Sequence, residues 1–460
     1  YFVEKEKTMP RKSFDEVLKY TEYALDIISK KSLEDGEKEQ FIKETRHNFD
    51  NHINPGFLEY RKAAGADDMA MEWMSKGDTF TDLNGKEYID CLGGFGAFNC
   101  GHRNDTVVTA VMNQLAKQPL SSAELVDANR SLLARILADV TPGDLQYTFF
   151  TSSGTESIEC GLKMATLATG RHYYVAFKND FHGKTMGSLS LTSKEHFRGP
   201  FLPLLQGARF APYGDVEYLE KMLDVLDFVG ELPAAIVYEP IQGEGGVIVP
   251  PDDFIPAIRR LCDKYDIMMV ADEVQAGMAR TGYLFATDYY DLAPDILCLG
   301  KSISGSVVPL SACVCTERAF RGMFPDPLLH STTTGGNPLA TAAGIAAFNV
   351  ILKEDLCGKA RKGEKMFKDG MAVLMKKYPK LLTDFRGRGL FLAMEFCDGD
   401  IGYEVVYEAF NRRLLLSGSL INARTIRIEP PLNITEEHIK EANDILDTSM
   451  GIVYKKHWGK

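Results

Sequence analysis

The sequence predicts an α/β fold with a large domain, built on a mostly parallel, doubly wound sheet, and a smaller α+β domain. Two observations predict it. Short apolar runs alternate with helical segments between about residues 145 and 315, and long helical segments with two further apolar runs follow after about residue 345. Continuous apolar runs are typical of strands buried on both faces, and strand–helix alternation is typical of parallel sheets.

The predicted strands of the large sheet share an apolar, partly β-branched composition. They are TFF at 148–150, YYVAF at 173–177, AAIVYEP at 234–240, IMMVADEV at 267–274 and DILCLG at 295–300. In the smaller domain LFLAMEF and TIRIEPPL have the same character.

The region before the sheet is different in character. Residues 12–48 are charged and have helical periodicity, which predicts one or two surface helices, and FTDLNGKEYIDCL predicts a hairpin with a turn at Asn84–Gly85. We therefore expect four segments along the chain. They are a helical arm at 1–55, a linker with the first part of the small domain at 56–110, the large domain at 111–345 and the rest of the small domain at 346–460.

Composition excludes several classes of function. Lys and Arg number 52 against 64 Asp and Glu, and the net charge of −12 disfavours nucleic acid and anionic membranes as partners. The sequence contains no apolar run of about 18 residues, the length that would predict a membrane span. The first residues lack the apolar core of a secretory signal. Nine cysteines without a CxxC pair predict buried, reduced thiols, no metal site and a cytoplasmic location.

Polar side chains recur where the predicted strands end. They are Thr151 to Thr155, Phe181 with His182, Glu239, Asp272 with Glu273, and Lys301. Because the carboxyl ends of parallel strands meet at one edge of a sheet, we expect these groups to form one site.

Lys301 has two interpretations. One is a solvated lysine at the end of a strand. The other is an amine that apolar surroundings desolvate, which lowers its pKa and allows it to form an imine with a carbonyl group. Gly300 and Gly305 on either side would let a cofactor approach the backbone. The GKS sequence is not the end of a phosphate-binding P-loop, because residue 295 is Asp where that motif needs glycine.

Asp272 and the segment SSGTES at 152–157 extend this hypothesis. Asp272 has two interpretations. One is an ordinary role as a metal ligand, a salt-bridge partner or a helix cap. The other is the carboxylate that holds the proton on a pyridine ring, as pyridoxal phosphate requires. SSGTES is either an ordinary helix N-cap or a phosphate site at a helix N-terminus. Phe181 is a core aromatic or stacks on a planar ring, and His182 is an ordinary satisfied histidine or a donor that supports the site.

Taken together, these segments resemble the class III, or ω-, aminotransferases of the fold type I pyridoxal-phosphate superfamily. The resemblance covers about residues 54 to 450. No GxGxxG, HExxH or GxSxG motif competes with it. The segments that carry it, in chain order, are FFTSSGTESIECGLKMA, NDFHGKTMGSLSLTS, VYEPIQGEGGVIVPP, MMVADEVQAGMARTG, PDILCLGKS, TTTGGNPLATAA, RGRGLFLAMEF and TIRIEPPLNIT.

The resemblance implies a role for each matching residue. Lys301 would be the lysine that binds the cofactor and moves the substrate proton, and Asp272 would pair with the pyridine nitrogen. Gln275 would reach the ring hydroxyl, and Thr333 would contact the phosphate of a second subunit, which implies a homodimer with shared sites or a tetramer. The implied cofactor-binding set is Ser153, Gly154, Thr155, Phe181, His182, Gln275, Lys301 and Thr333.

Two positions bear on the substrates. Arg427 matches the arginine that binds a substrate carboxylate through a bidentate fork, and Glu244 matches the glutamate that pairs with that arginine. An amine without an α-carboxylate would leave Arg427 buried and unpaired, so Glu244 would neutralise it and move away when 2-oxoglutarate arrives. The expected activity is therefore a ping-pong transamination from a terminal amine to 2-oxoglutarate, which releases an aldehyde and glutamate.

Within the class, the charged N-terminal helix and four segments resemble the putrescine aminotransferases. The segments are HINPGFLEYRK, YIDCLGGFGAFNCGHRN, NQLAKQPL and RIEPPL. Ala123 stands where those enzymes carry glutamine, and Ala276 and Ala279 are further departures. We expect Phe95, Ala123 and Gly335 to surround the donor. The donor therefore stays open among putrescine, cadaverine, ornithine, 4-aminobutyrate and a β-amine on an acyl-CoA, and pyruvate stays open as the acceptor. An aminomutase, a racemase, a decarboxylating enzyme of the same fold and a non-catalytic dimer are the rival hypotheses.

Overall fold

The computed structural model describes residues 11–60 and 70–459, apart from the side chain of Tyr60. Part of the HINPGFLEYRK segment therefore lies outside the described residues. The chain divides into two compact units. One is Tyr1–Met74 with Thr81–Lys86, and the other is Ser75–Phe80 with Glu87–Lys460.

The first unit contains the two predicted charged helices, α1 (Phe14–Ser29) and α2 (Asp35–Asn48). A π-helical turn (Phe49–Ile53) and α3 (Pro55–Tyr60), which the sequence did not predict, follow them. The Ser13 side chain caps α1 and Glu16 returns the contact, which is a complete capping box. The tight turn at Asn84–Gly85 is present as predicted, because Gly85 has φ +78° and its N–H donates to Asp82 O at 2.9 Å. Two short strands, β1 (Glu72–Lys76) and β2 (Thr79–Asp82), precede this turn in the chain.

The large sheet confirms the predicted fold class. Its strands are β4 (Tyr147–Thr151), β5 (Tyr174–Phe177), β6 (Ala208–Ala211), β7 (Ala235–Tyr238), β8 (Met268–Asp272), β9 (Ile296–Leu299) and β10 (Ser311–Cys315). The strand β3 (Glu87–Asp90) precedes them in the chain and lies outside this sheet. The spatial order is β4-β10-β9-β8-β7-β5-β6, and only β10 runs antiparallel to its neighbours. The sequence did not predict β6 or β10, because ARFA is short and partly exposed and SACVC follows a loop rich in serine and glycine.

Both faces of this sheet are buried, which explains why its central strands are apolar without alternation. In β8, Met269 and Ala271 face one hydrophobic cluster, whereas Met268 and Val270 face the other. The helices of the second unit cover the sheet and its surroundings. They are α4 (Gly93–Gly96), α5 (Asp105–Leu115), α6 (Ala128–Val140), α7 (Gly154–Thr169), α8 (Met186–Leu191), α9 (Glu195–Arg198), α10 (Val216–Phe228), α11 (Phe254–Tyr265), α12 (Glu317–Phe320), α13 (Pro338–Lys353), α14 (Leu356–Lys377), α15 (Gly399–Asn411) and α16 (Glu436–Trp458).

A smaller antiparallel sheet follows, as predicted for the C-terminal region. Its order is β11-β12-β15-β14, and its strands are β11 (Leu382–Arg388), β12 (Phe391–Phe396), β14 (Ser417–Gly418) and β15 (Thr425–Ile428). The short strand β13 (Leu414–Leu415) pairs in parallel with β3 instead. Short 3₁₀ turns complete the unit at Gly199–Phe201, Ala286–Tyr290, Lys301–Ser304 and Arg321–Met323.

The thiols agree with the sequence prediction. All nine cysteines are free, and most are buried in the two clusters that flank the large sheet. Among the described helices, none combines the length and the apolar character needed to cross a membrane.

Gly93 offers a test of the packing between α4 and the residues after β15. Its φ is +57°, and a Cβ placed there would lie 2.0 Å from the carbonyl oxygen of Glu429. Gly170 has a similar φ of +69° but open space around it. We predict that Gly170→Ala lowers the free energy of unfolding by about 1 kcal/mol through backbone strain alone, whereas Gly93→Ala costs roughly 3 kcal/mol or more. Denaturant unfolding measures both, and equal losses would contradict the proposed backbone clash.

Candidate active site

Lys301 and Asp272 are brought together by two neighbouring parallel strands. Asp272 is the last residue of β8 and lies opposite Cys298 of β9, and Lys301 follows Cys298 by three residues. The 3₁₀ turn that starts at Lys301 ends the run of β9, and Lys301 itself has φ +48°, an uncommon conformation for a residue with a side chain. The apolar run before this lysine is therefore a buried strand, and its end turns the amine toward the site.

The surroundings of Lys301 change its protonation. Burial lowers the pKa of its amine below the usual range. The carboxylates of Glu429, Glu244 and Asp272 act in the opposite direction, and Arg427 acts with burial. Because the pKa is lowered on balance, a larger share of Lys301 is the neutral amine, which is the form that attacks a carbonyl group.

His182 links Asp272 to a second buried carboxylate. Its Nδ1 lies 2.7 Å from Asp272 Oδ2, and its Nε2 lies 3.3 Å from Asp180 Oδ2. Gln242 Nε2 donates to Asp180 Oδ1 at 2.7 Å and Phe177 N–H donates to Asp180 Oδ2 at 2.8 Å, which fixes this carboxylate. Burial lowers the pKa of His182, but the two carboxylates outweigh it and hold the pKa well above its usual value. A protonated His182 places a buried positive charge against the Asp272 carboxylate.

The N-terminus of α7 lies against the strand end that carries Lys301. A Cβ on Gly300 would lie 3.2 Å from the Cα of Gly154, and a Cβ on Gly154 would lie 2.6 Å from Val274 Cγ1. Ser153 caps the helix, and the Glu156 carboxylate accepts the Ser153 N–H at 3.0 Å. The Ser153 hydroxyl is thus engaged as an N-cap. The N–H groups of Gly154 and Thr155 belong to the first turn, where no intrahelical acceptor exists.

Arg427 is fully buried and pairs with Glu244. Arg427 Nη1 donates to Glu244 Oε1 at 3.0 Å, Nη2 donates to Gly418 O at 2.9 Å, and the guanidinium carbon lies 4.9 Å from the centre of the Phe95 ring. Phe95 reaches this position through a left-handed turn at φ +59° among three glycines. The structure therefore brings Arg427, Glu244 and Phe95 together.

Glu429 is a site residue that the sequence reasoning missed. Its side chain is 0% exposed, its Oε1 accepts from Gln275 Nε2 at 2.9 Å, and its Oε2 lies 3.5 Å from Arg427 Nη1. A signal was available, because residues two apart in an extended segment share a face and Glu429 follows Arg427 by two.

Two further acidic residues at strand ends hold the loops around the site. Glu239 accepts the N–H of Phe181 and the N–H of Gly243, both at 2.8 Å, and burial raises its pKa to about 8. Glu273 accepts from Ala286 N–H at 2.6 Å and from Thr287 N–H at 2.8 Å. Glu239 thus positions the backbone of Phe181, whose ring centre lies 6.2 Å from that of Phe197.

Ala123, Thr333 and Gly335 form a separate group. They line a cavity of about 360 Å³ together with Arg130. Lys301 is not among the described residues that line this cavity. Thr333 and Ala123 are exposed, and Ala123 has φ +64°. Gly335 is buried and packs against Phe150 and Thr151 at the end of β4.

The group around Lys301 fits pyridoxal phosphate. Lys301 offers an amine for the aldehyde, and Asp272 offers a buried carboxylate for the pyridine nitrogen. Glycines at 154 and 300 let the N-terminus of α7 pack closely against the strand end that carries Lys301, and the first turn of α7 offers N–H donors for the phosphate. The donor set thus matches the three chemical features of this cofactor.

Comparison with known proteins points to one family. The sequence model described as aminotransferase class-III matches residues 64–450. An ornithine aminotransferase from Toxoplasma gondii is 27% identical with a TM-score of 0.82, and the match covers 97% of this chain and 100% of that one. A taurine:2-oxoglutarate aminotransferase from Bifidobacterium kashiwanohense, solved with PLP and glutamate, is 28% identical with a TM-score of 0.79, covering 84% and 93%. An acetylornithine aminotransferase from Elizabethkingia anophelis is 29% identical with a TM-score of 0.73, covering 86% and 98%.

Glu273 predicts a pH dependence of stability. Burial raises its pKa to about 7, above the unfolded value of about 4.3. A raised pKa contributes stability that is fully present below the unfolded pKa and is lost as the pH rises through the folded pKa. We therefore expect Glu273→Gln, which cannot ionise, to show a smaller loss of unfolding free energy between pH 5 and pH 7.5 than the wild type. The variant is expected to be less stable overall, because three donors point at this side chain. Parallel pH profiles for the two proteins would show this assignment to be wrong.

Proposed function

Because the chain belongs to the class III aminotransferases, enzymes whose cofactor is pyridoxal phosphate, we propose that it transfers an amino group from a terminal amine to 2-oxoglutarate. The observation that carries the proposal is the buried Arg427–Glu244 ion pair in the group around Lys301. An arginine held by an internal carboxylate lets one pocket receive a substrate with a carboxylate and a substrate without one.

Bound pyridoxal phosphate supplies the electron sink for the charge that forms when a proton leaves the substrate carbon. Lys301 would hold the aldehyde, and its amine, whose pKa is lowered, would then carry that proton between the two carbons. Asp272, which His182 contacts at 2.7 Å, would hold the proton on the ring nitrogen. By the family resemblance, Gln275 would contact the ring hydroxyl and Phe181 would cover the ring face.

Arg427 and Glu244 act on the two substrates in turn. With an amine donor, Glu244 stays on Arg427 and removes the cost of an unpaired buried cation, which is several kcal/mol in comparable cases. With 2-oxoglutarate, the substrate carboxylate replaces Glu244 on the guanidinium. Glu244 Oε2 is held by the Leu420 N–H at 2.8 Å, a neutral donor, so the ion pair is the stronger of its two contacts.

We propose putrescine as the first donor to test, because the segments shared with the putrescine aminotransferases include RIEPPL, which carries Arg427. Ornithine, cadaverine, 4-aminobutyrate and a β-amino acyl-CoA are the alternatives, since Ala123 departs from those enzymes. The similar structures act on ornithine, acetylornithine and taurine, which are all amines with a charged group at some distance. The 2-oxoglutarate named for the taurine enzyme supports the acceptor, with pyruvate as its alternative.

We also propose a homodimer with shared sites. The family resemblance implies that Thr333 serves the cofactor phosphate of the partner subunit, and its exposure in the single chain supports this proposal. A tetramer would be built from two such dimers. The cytoplasmic location stays a prediction from the free thiols.

Lys301→Ala tests the activity. We expect the purified wild type to show the visible absorbance of the bound cofactor and, with putrescine and 2-oxoglutarate, to form glutamate. The variant should lose that band and at least about 10³-fold in kcat, because it lacks both the covalent anchor and the proton carrier. Borohydride treatment followed by peptide mapping should mark Lys301 in the wild type only. A screen of the alternative donors and pyruvate in the same assay identifies the substrate pair, and cofactor binding without any transamination would contradict the proposal.

Mixed dimers test the shared site. Lys301→Ala and Thr333→Glu are each expected to inactivate homodimers, the second because a carboxylate repels the phosphate. Co-expressed, the two variants form mixed dimers in which one site has both defects and the other has neither, so about a quarter of wild-type activity should return. If Thr333 served its own chain, every site would be defective and no activity would return.

A further inference from the structure

Glu429 holds a second negative charge against Arg427, and the proposed function does not account for it. Arg427 Nη1 lies 3.0 Å from Glu244 Oε1 and 3.5 Å from Glu429 Oε2. One carboxylate is enough to neutralise one guanidinium. The Oε2 atom of Glu429 has no hydrogen-bond partner in the part of the chain that the structure describes. A fully buried carboxylate oxygen without a donor is costly, which favours a function for it.

Both the backbone and the side chain of Glu429 are held by neighbouring residues. Its N–H donates to Cys91 O at 2.8 Å, and its carbonyl oxygen lies where a Cβ on Gly93 would stand. Its side chain is held by Gln275 at 2.9 Å. A side-chain movement like that proposed for Glu244 would break the Gln275 contact, and the backbone of Glu429 is held in place at Cys91 and Gly93.

The charge of Glu429 acts on the reacting centre. Among the charged groups around Lys301, Glu429 has the largest effect on the pKa of the amine, ahead of Glu244 and Arg427, although burial outweighs all of them. Burial lowers the pKa of Arg280, a further buried cation, and Glu429 acts on that pKa in the opposite direction. The Arg280 guanidinium donates its hydrogen bonds elsewhere, to Leu390 O, Pro430 O and Asn99 Oδ1. Glu429 therefore keeps a negative potential at the position where a substrate amine arrives.

We propose that Glu429 is a specificity-determining residue: the fixed counter-charge at this position favours cationic amines that carry no carboxylate next to the reacting nitrogen, and disfavours α-carboxylates. This inference rests on the proposed transamination. When Glu244 leaves Arg427, Glu429 stays and repels part of the incoming carboxylate. The enzyme thus gives up some affinity for the oxo acid and gains selectivity for diamine-like donors over α-amino acids.

Glu429→Gln tests the inference in the holoenzyme, because glutamine keeps the size of the side chain and an oxygen for Gln275. The two half-reactions are followed separately by cofactor absorbance, the first with putrescine and the second with 2-oxoglutarate. We expect the apparent dissociation constant for putrescine to rise about tenfold or more, and that for 2-oxoglutarate to fall severalfold. A purely structural role would weaken both substrates together, and that result, or no change in either, would overturn the inference.

Two variants complete the design. Glu429→Asp keeps the charge and shortens the side chain, so it should keep the wild-type order of preference even if both half-reactions slow. Glu395→Gln removes a carboxylate from the neighbouring strand β12, where it pairs with Arg386 at 2.6 Å and Arg424 at 2.7 Å, and should leave both constants unchanged. If Glu429→Gln fails to fold, the Glu429→Asp preference still decides, because a reversal there would contradict a role of charge. Absence of transamination in the wild type would count against the proposed function rather than against this inference.

Discussion

The site depends on the burial of charged groups at the carboxyl edge of the large sheet. Asp272 ends β8 and Lys301 follows β9, two adjacent strands whose other residues are apolar, and Asp272 is buried while Lys301 is half-buried. Isolated charges in such surroundings would cost several kcal/mol each. The structure meets that cost with pairs. Asp272 is paired with His182, and Arg427 with Glu244, whereas Lys301 responds to burial by a lowered pKa.

These pairs are reinforced by neutral donors, which lets the charges stay in one geometry. Asp180 accepts from Gln242 and from a backbone N–H while it faces His182. Glu239 and Glu273 each accept two backbone N–H groups from loops that border the site. The acidic residues at the strand ends therefore have two roles. Asp272 faces the reacting centre, whereas Glu239 and Glu273 bind the backbone of the loops that border it.

Much of this arrangement could be predicted from the sequence. The apolar runs located five strands of the large sheet, and their polar ends located Lys301, Asp272 and His182 on one edge, because topology alone brings the ends of parallel strands together. The Arg427–Glu244 contact followed from the family resemblance rather than from any local pattern, since 183 residues separate the two positions. Whether Thr333 serves the site of a second chain stays a prediction.

Asp180 and Glu429 could not be identified in the same way. Asp180 precedes Phe181 in a loop, where an acidic residue is ordinary, and only the fold shows it fully buried against His182. Glu429 lies in an extended segment followed by two prolines, and its neighbours Gln275 and Gly93 come from distant parts of the chain. The two-residue spacing places Glu429 on the same face as Arg427, but its partners are distant in sequence and are known only from the tertiary contacts.

The two carboxylates on Arg427 differ in how they are held, and this difference has a chemical consequence. Glu244 has one ionic contact and one contact to a neutral N–H, so a substrate carboxylate can take its place on the guanidinium. The backbone of Glu429 contacts Cys91 and Gly93, and its side chain accepts a hydrogen bond from Gln275. The family resemblance places Gln275 at the cofactor ring. A movable counter-charge allows two kinds of substrate to share a pocket, whereas a fixed one biases the pocket toward one of them. Affinity for the oxo acid and selectivity for the amine are then set by different residues, so a change at either position can alter one without abolishing the other.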